Sequence, residues 1–139
     1  MTTTVGELVA MLSADAIRSD TITLDGTPYM ERFHYRYELD GSARLHHLLT
    51  DDPEHMHDHP WNYATVLLTG AYREHTPDGW TDHHAPVLLT RQAEHVHRLE
   101  LLAGPMWTYI VTGPVRRRWG YWTDDGWMPW CQYQAERVA

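Results

Sequence analysis

The hydrophobic pattern changes period near Ser19. Before it, Val5, Leu8, Val9 and Leu12 recur at helical spacing. Thr4 followed by Glu7 is a capping-box signature ahead of them. A helical segment is therefore expected within residues 1–20, with Ser13 capping a second short turn through Arg18. After Ser19 the helical pattern is gone. Phe33-His34-Tyr35-Arg36-Tyr37 alternates, Tyr63 to Leu68 is an apolar run containing Thr65 and Val66, and Val87 to Thr90 and Trp107 to Thr112 are further β-rich runs. Turn residues punctuate them: Asp25-Gly26, Asp40-Gly41, Gly70, Pro77-Asp78-Gly79, Gly104-Pro105, Gly113-Pro114 and Asp125-Gly126. Short strands at such spacing predict an all-β barrel or sandwich over residues 21–130. No internal repeat, low-complexity segment or linker interrupts it, so residues 1–139 read as one domain.

Composition narrows the function classes. The net charge of −8 with neutral histidines argues against nucleic acid, which requires clustered positive charge. Arg116-Arg117-Arg118 is too short to be a polybasic patch. Cys131 is the single cysteine, which rules out an intrachain disulfide framework and a cysteine-based zinc module. No apolar run approaches the length of a membrane span, and the N-terminus lacks a signal-peptide core, so a cytoplasmic location with no membrane partner is expected. Seven Trp and eight Tyr against one Phe suit a pocket with a wet end, because indole and phenol carry polar handles.

Histidine carries the candidate chemistry. Eleven are present, most of them between His46 and His97, and no terminal tag accounts for them. His57 and His59 share a face if the backbone is extended, with Asp58 pointing the other way. His95 and His97 form a second pair with the same parity. In a barrel, alternate residues point inward, so one histidine of the second pair can complete a three-histidine metal site with the first. His97 is the preferred third ligand and His95 the alternative. The competing reading, hydrogen-bonded or surface histidines, needs a partner for each imidazole that burial strips of water.

These motifs resemble the cupin superfamily. The first cupin motif has His-x-His, then Glu, then Gly; here His57-x-His59 is followed by Tyr63 in the glutamate position and Gly70 in register. The second motif, usually Pro-x-Gly-x-x-His, corresponds to the stretch from Arg91 to His97, with neither Pro nor Gly in register. The chain is similar over residues 30–130 to small cupin-like proteins of actinobacteria and their phages. The shared features are His57-Asp58-His59-Pro60-Trp61, Gly70-Ala71-Tyr72-Arg73-Glu74, His97-Arg98-Leu99, Thr112-Gly113-Pro114 and Arg117-Arg118-Trp119-Gly120. The resemblance implies a small jelly-roll-like cupin barrel that pairs with a second copy. Trp127, Trp130 and Tyr133, with the N-terminal strands, are the candidate contacts of such a homodimer.

Loss of the motif glutamate leaves three neutral ligands and open positions on one divalent ion. Three-histidine cupin sites are associated with Fe(II) oxygenases, and Fe(II) is favoured, although Zn, Ni or Mn would accept the same donors. Glu74, Glu94 or Asp58 could supply a carboxylate, and Glu74 is the best placed of these. Tyr63 is the candidate catalytic proton donor or acceptor, and Trp61 the candidate wall of the site. One of His46 and His47 must face inward. Arg118 and Arg36, with Arg91 and Arg116 as further candidates, could hold an anionic group of a small-molecule substrate. Three functions are open: an Fe(II) oxygenase acting on a small polar metabolite, a redox-inert metal lyase or isomerase, and a non-enzymatic binding cupin.

Overall fold

A computed structural model describes residues 2–35 and 41–137. Helix α1 (Val5–Asp15) starts at Thr4, whose side chain accepts from the Glu7 backbone N–H while Glu7 returns a hydrogen bond to the Thr4 N–H. The helix is shorter than the expected 1–20 segment. Ser13 caps no second turn: its hydroxyl donates to the Val9 carbonyl inside α1. Strand β1 (Arg18–Leu24) already begins at Arg18, where the residues exchange hydrogen bonds with the following strand instead of with each other. Of the apolar stripe only Val9 is buried.

The strands that follow are β2 (Thr27–Tyr35), β3 (Ser42–Leu48), β4 (Met56–His57), β5 (Tyr63–Thr69), β6 (Ala71–Thr76) and β7 (Gly79–His84), then β8 (Val87–Arg91), β9 (Arg98–Leu101), β10 (Met106–Thr112), β11 (Gly120–Thr123) and β12 (Gly126–Pro129). Helix α2 (Trp130–Ala135) ends the fold. One sheet runs β1-β2-β3-β10-β5-β8, a second β12-β11-β4, and a third β7-β6-β9. The paired strands are antiparallel. The sheets surround one interior without closing into a continuous ring among the described residues. Asp25 and Gly26 both take positive φ, 52° and 73°, and close the β1–β2 hairpin as a two-residue turn of the kind that matches strand twist. Asp40, in another expected turn, lies outside the described residues.

Leu48, Leu67, Tyr72 and Met106 form a core cluster with Met30, Leu89 and Leu99 against it. Several of these also line the central cavity, so the apolar cluster floors it. The strands β1, β3, β6, β7, β9, β11 and β12 were not marked by an obvious apolar run. In β3, for example, Arg44, His46 and Leu48 share the cavity face, and two polar residues mask the alternation. Of the C-terminal residues expected at a subunit contact, Tyr133 packs inward, Trp127 is half-buried and Trp130 is exposed. Tyr133 is fully buried and stacks on Tyr121 with ring centroids 3.7 Å apart.

Candidate metal centre

The first histidine pair is held by very little strand. β4 contains only Met56 and His57, and His59 follows it. The main chain is secured from outside: Asp58 N–H donates to Gly120 O at 3.0 Å and His59 N–H to Ala93 O at 3.0 Å. His57 and His97 form a reciprocal antiparallel bridge, which sets their side chains on the same face. The three rings converge, with centroids 4.9 Å apart for His57–His59, 4.8 Å for His57–His97 and 5.0 Å for His59–His97. One ligand nitrogen from each lies within 4.8 Å of the others.

Burial keeps two of these rings neutral. It lowers His57 to about 4, against a partial opposing pull from Asp52, and lowers His59 well below the ordinary imidazole value. A neutral imidazole offers a lone pair. The Nδ1 atoms of His57 and His59 are buried without a hydrogen-bond partner. The Asp52 carboxylate stands 3.8 Å from His57 Nδ1, beyond hydrogen-bonding distance. Asp52 is itself held by the Tyr29 hydroxyl and by the Leu99 N–H at 2.7 Å. Three imidazoles that bring one nitrogen each within 4.8 Å of the others, two of them held neutral, offer the lone pairs a divalent ion takes, so the donor set fits one.

Glu74 stands behind His97. Its Oε2 accepts from His97 Nδ1 at 2.7 Å and from His95 Nε2 at 2.9 Å; its Oε1 accepts from Arg91 Nη2 at 2.7 Å and from His83 Nε2 at 3.0 Å. Burial pushes the Glu74 carboxyl up, but the hydrogen bonds from His95, His97 and Arg91 outweigh it and hold the group well below the usual carboxylate range. An ionised Glu74 makes His97 Nδ1 the donor, which leaves the Nε2 lone pair free. A second cluster of ligand-type groups, Glu74, His95 and His97, exists within 4.8 Å, but the Glu74 oxygens are already occupied by side-chain donors.

The other carboxylates point elsewhere. Asp58 is 1% exposed and accepts from Gly120 N–H at 2.8 Å, from the indoles of Trp122 and Trp127 at 3.1 and 3.0 Å, and pairs with Arg117 at 3.1 Å. It pins the β11–β12 hairpin from the far side of the chain. Glu94 pairs with Arg116 at 3.0 Å on the surface.

The cavity has a volume of about 410 Å³ and is lined by His57, His59 and His97 together with Trp61, Tyr63 and Arg44. The Tyr63 hydroxyl is buried and unpartnered, its ring centroid 4.6 Å from that of His59, and burial and the nearby Glu74 charge push its pKa far up. Trp61 stacks beside His59 at 5.8 Å. His46 faces in, while His47 turns out, bonds Glu31 at 2.7 Å and stacks on Trp107. Arg118 does not reach the cavity: it is exposed, 5.9 Å from the Trp127 ring, because residues 113–119 are not a strand with alternating faces. Arg36 lies outside the described residues. Arg91 lines the cavity but is committed to Glu74. Arg44 and Asp52 were overlooked in sequence; alternation of Arg44 with His46 was the one available signal.

No protein-family model and no curated protein matches the sequence. Solved structures do match. A cupin-2 domain from Rhodospirillum rubrum superposes with a TM-score of 0.64 and 12% identity, covering 78% of this chain and 77% of its own. A cupin 2 conserved barrel domain protein from Rhodopseudomonas palustris gives 0.57 at 14% identity, covering 70% and 69%. HppE, solved with Fe(II), gives 0.58 at 12% identity, covering 68% of this chain and 55% of the HppE chain, so the present chain spans about half of that protein. At such identities the likeness establishes the fold, that of a cupin domain; the chemistry rests on the site.

Proposed function

We propose that the protein is a metal-dependent cupin enzyme whose centre is His57, His59 and His97, acting on a small polar metabolite, with Fe(II) as the ion and O₂ as oxidant. The observation that carries the reading is the convergence of three imidazoles on one cavity, two with unpartnered buried nitrogens and the third aimed by a carboxylate. Ligating histidines in metal sites characteristically donate their second nitrogen to a carboxylate, as His97 does to Glu74. Glu74 is thus assigned as a positioning residue and His95 as its neighbour, with neither a ligand. The fold likeness to HppE, solved with Fe(II), supports iron.

A divalent ion held here supplies Lewis acidity, and Fe(II) adds redox chemistry with O₂. The protein's own groups do the rest. Tyr63 keeps its proton at neutral pH, because its pKa is pushed up, and presents a buried hydroxyl donor to the cavity. Trp61 forms an apolar wall beside His59. Floor residues Leu48, Leu89 and Leu99 exclude water from below.

Elemental analysis of the native protein with His59→Ala and His97→Ala tests the centre; metal content unchanged in both variants would falsify it. Turnover compared with and without O₂ tests the oxidant, and equal rates exclude it. Three neutral nitrogens are also a zinc set. Activity with zinc alone would favour the second reading, a lyase or isomerase using the ion as a Lewis acid.

A further inference from the structure

On the cavity face, β2 and β3 bring four nitrogen-rich side chains into register: Arg32 opposite His46 and His34 opposite Arg44. β1 adds Asp20 opposite Arg32 and Arg18 opposite His34. One carboxylate serves this array. Asp20 is engaged by Arg32 through Nε at 2.8 Å and Nη2 at 2.9 Å, and has His34 at 3.4 Å and Arg18 at 3.5 Å. Arg44 has no carboxylate within 4.0 Å among the described residues, and its Nε is buried with no hydrogen-bond partner. The other carboxylates lining the cavity are taken, Glu74 by Arg91 and three histidines, Asp52 by Tyr29 and the Leu99 N–H.

Arg44 is half-buried, and a guanidinium partly withdrawn from water without a close counter-charge is costly. Its neighbours register the surplus. His46 is held neutral, down to about 3, first by burial and then by Arg44 and Arg32. Arg44 also lies 5.9 Å from the Trp61 ring, which is 5.8 Å from the His59 ring, so one aromatic wall joins the cation to the histidine centre. Ile22, Met30 and Ile110 give the cavity apolar sides, with His46, Thr65 and Thr108 as polar points among them.

We propose that the cavity takes a small organic acid with an apolar body, its carboxylate held by the Arg44 fork and its other end directed to His57, His59 and His97. One guanidinium without a carboxylate among the described residues matches a monoanion, and its planar donors fit a carboxylate in two parallel hydrogen bonds. The volume of about 410 Å³ suits a compact acid. The proposal rests on the metal-enzyme reading only for calling the acid a substrate; the anion site itself does not depend on it.

Calorimetry with matched acid and amide probes tests the site: phenylacetate against phenylacetamide, hexanoate against hexanamide, and benzoate against benzamide, with phenyl phosphate alongside. Wild type, Arg44→Gln and Arg44→Lys are compared at fixed ionic strength, with metal content recorded for each. The expected result is tighter binding of at least one acid than of its amide. Arg44→Gln lowers that acid's affinity about tenfold or more and leaves the amide and the metal content unchanged. Arg44→Lys falls between, because it keeps the charge and loses the fork, and it decides the matter if the glutamine variant does not fold. No acid preference in any pair, or a preference that survives Arg44→Gln, overturns the proposal. Tighter binding of phenyl phosphate overturns the carboxylate assignment. Acid preference in a protein whose metal content is indifferent to His59→Ala keeps the anion site and removes the metal enzyme.

Discussion

His57 and His97 are tied together through the main chain, the His57 N–H donating to His97 O at 2.9 Å and the His97 N–H to His57 O at 3.0 Å. The two imidazoles therefore share a face by backbone geometry alone, and their ring centroids lie 4.8 Å apart. His59 completes the triangle from the next residue of the same parity. Replacement of His57 by alanine is expected to remove bound metal as completely as replacement of His97, because a two-imidazole remnant lacks the third ligand of a stable site. Metal content per chain after dialysis measures this; retention of full content by His57→Ala places the ion elsewhere.

Glu74 orients His97 without reaching the triad's centre. Glu74→Gln preserves shape but removes the charge that fixes His97 Nδ1 as a donor. Metal affinity is expected to fall by about 10–100-fold, the usual effect of losing such a support. Competition with a calibrated chelator reads it. An unchanged affinity would show that His97 is positioned by its backbone bridge alone.

Asp58 has a structural part. It collects a backbone N–H, two indoles and an arginine from the region after β10. Asp58→Ala leaves these donors buried or half-buried without their acceptor and is expected to cost about 3–5 kcal/mol of stability. Urea denaturation followed by tryptophan emission measures the loss. A shift of less than a tenth of that size would contradict this role.

Acid is expected to unfold the metal-free protein through its buried histidines. Folded His46 stays neutral down to about 3, whereas the ordinary value is 6.5. The unfolded chain thus binds more protons below 6.5, and stability falls as pH drops through 6.5 toward 3, by about 1.4 kcal/mol per unit and proton. His57, lowered to about 4, adds a second proton in the same direction. Urea midpoints of metal-free wild type and His46→Gln between pH 7 and pH 5 provide the test: the variant should show the shallower decline, and parallel slopes would refute it.

Gly70 sits at φ 93°, where an added Cβ would stand 2.8 Å from the Met106 Cβ in the floor of the barrel. Gly70→Ala combines backbone strain with overpacking and is expected to lose about 2–4 kcal/mol. Thermal unfolding would show a lower midpoint; no change would mean that the β5–β6 turn can relax.

Much of this centre was legible in the chain. The parity of His57 and His59, with Asp58 opposed, needed only local extended backbone. The Thr4–Glu7 cap and the Asp25-Gly26 turn were readable because their chemistry lies within a few residues. β3 was legible only at His46 and His47, because Arg44 and His46 on its cavity face break the apolar alternation that would mark its extent. Arg118 misses the cavity for a related reason. Residues 113–119 do not form a strand, so Arg118 has no inward face, and the guanidinium without a carboxylate among the described residues comes from Arg44, in a strand without an apolar signature.

By itself the sequence determined an all-β chain with an N-terminal cap, a His-x-His pair with a glycine in register, and a tyrosine where a carboxylate was expected. The strands, the cap and the parity of the pair follow from local spacing and residue chemistry; the register of the glycine and the expected carboxylate are what the cupin resemblance implies. The tertiary structure alone brings His97 rather than His95 into the cluster with His57 and His59, because the backbone bridge joins His97 to His57. It also decided that Glu74 is consumed by His83, Arg91, His95 and His97, and that Arg44 is left without a partner among the described residues. Which charges cancel inside a barrel depends on strands far apart in sequence and adjacent only after the sheets have paired.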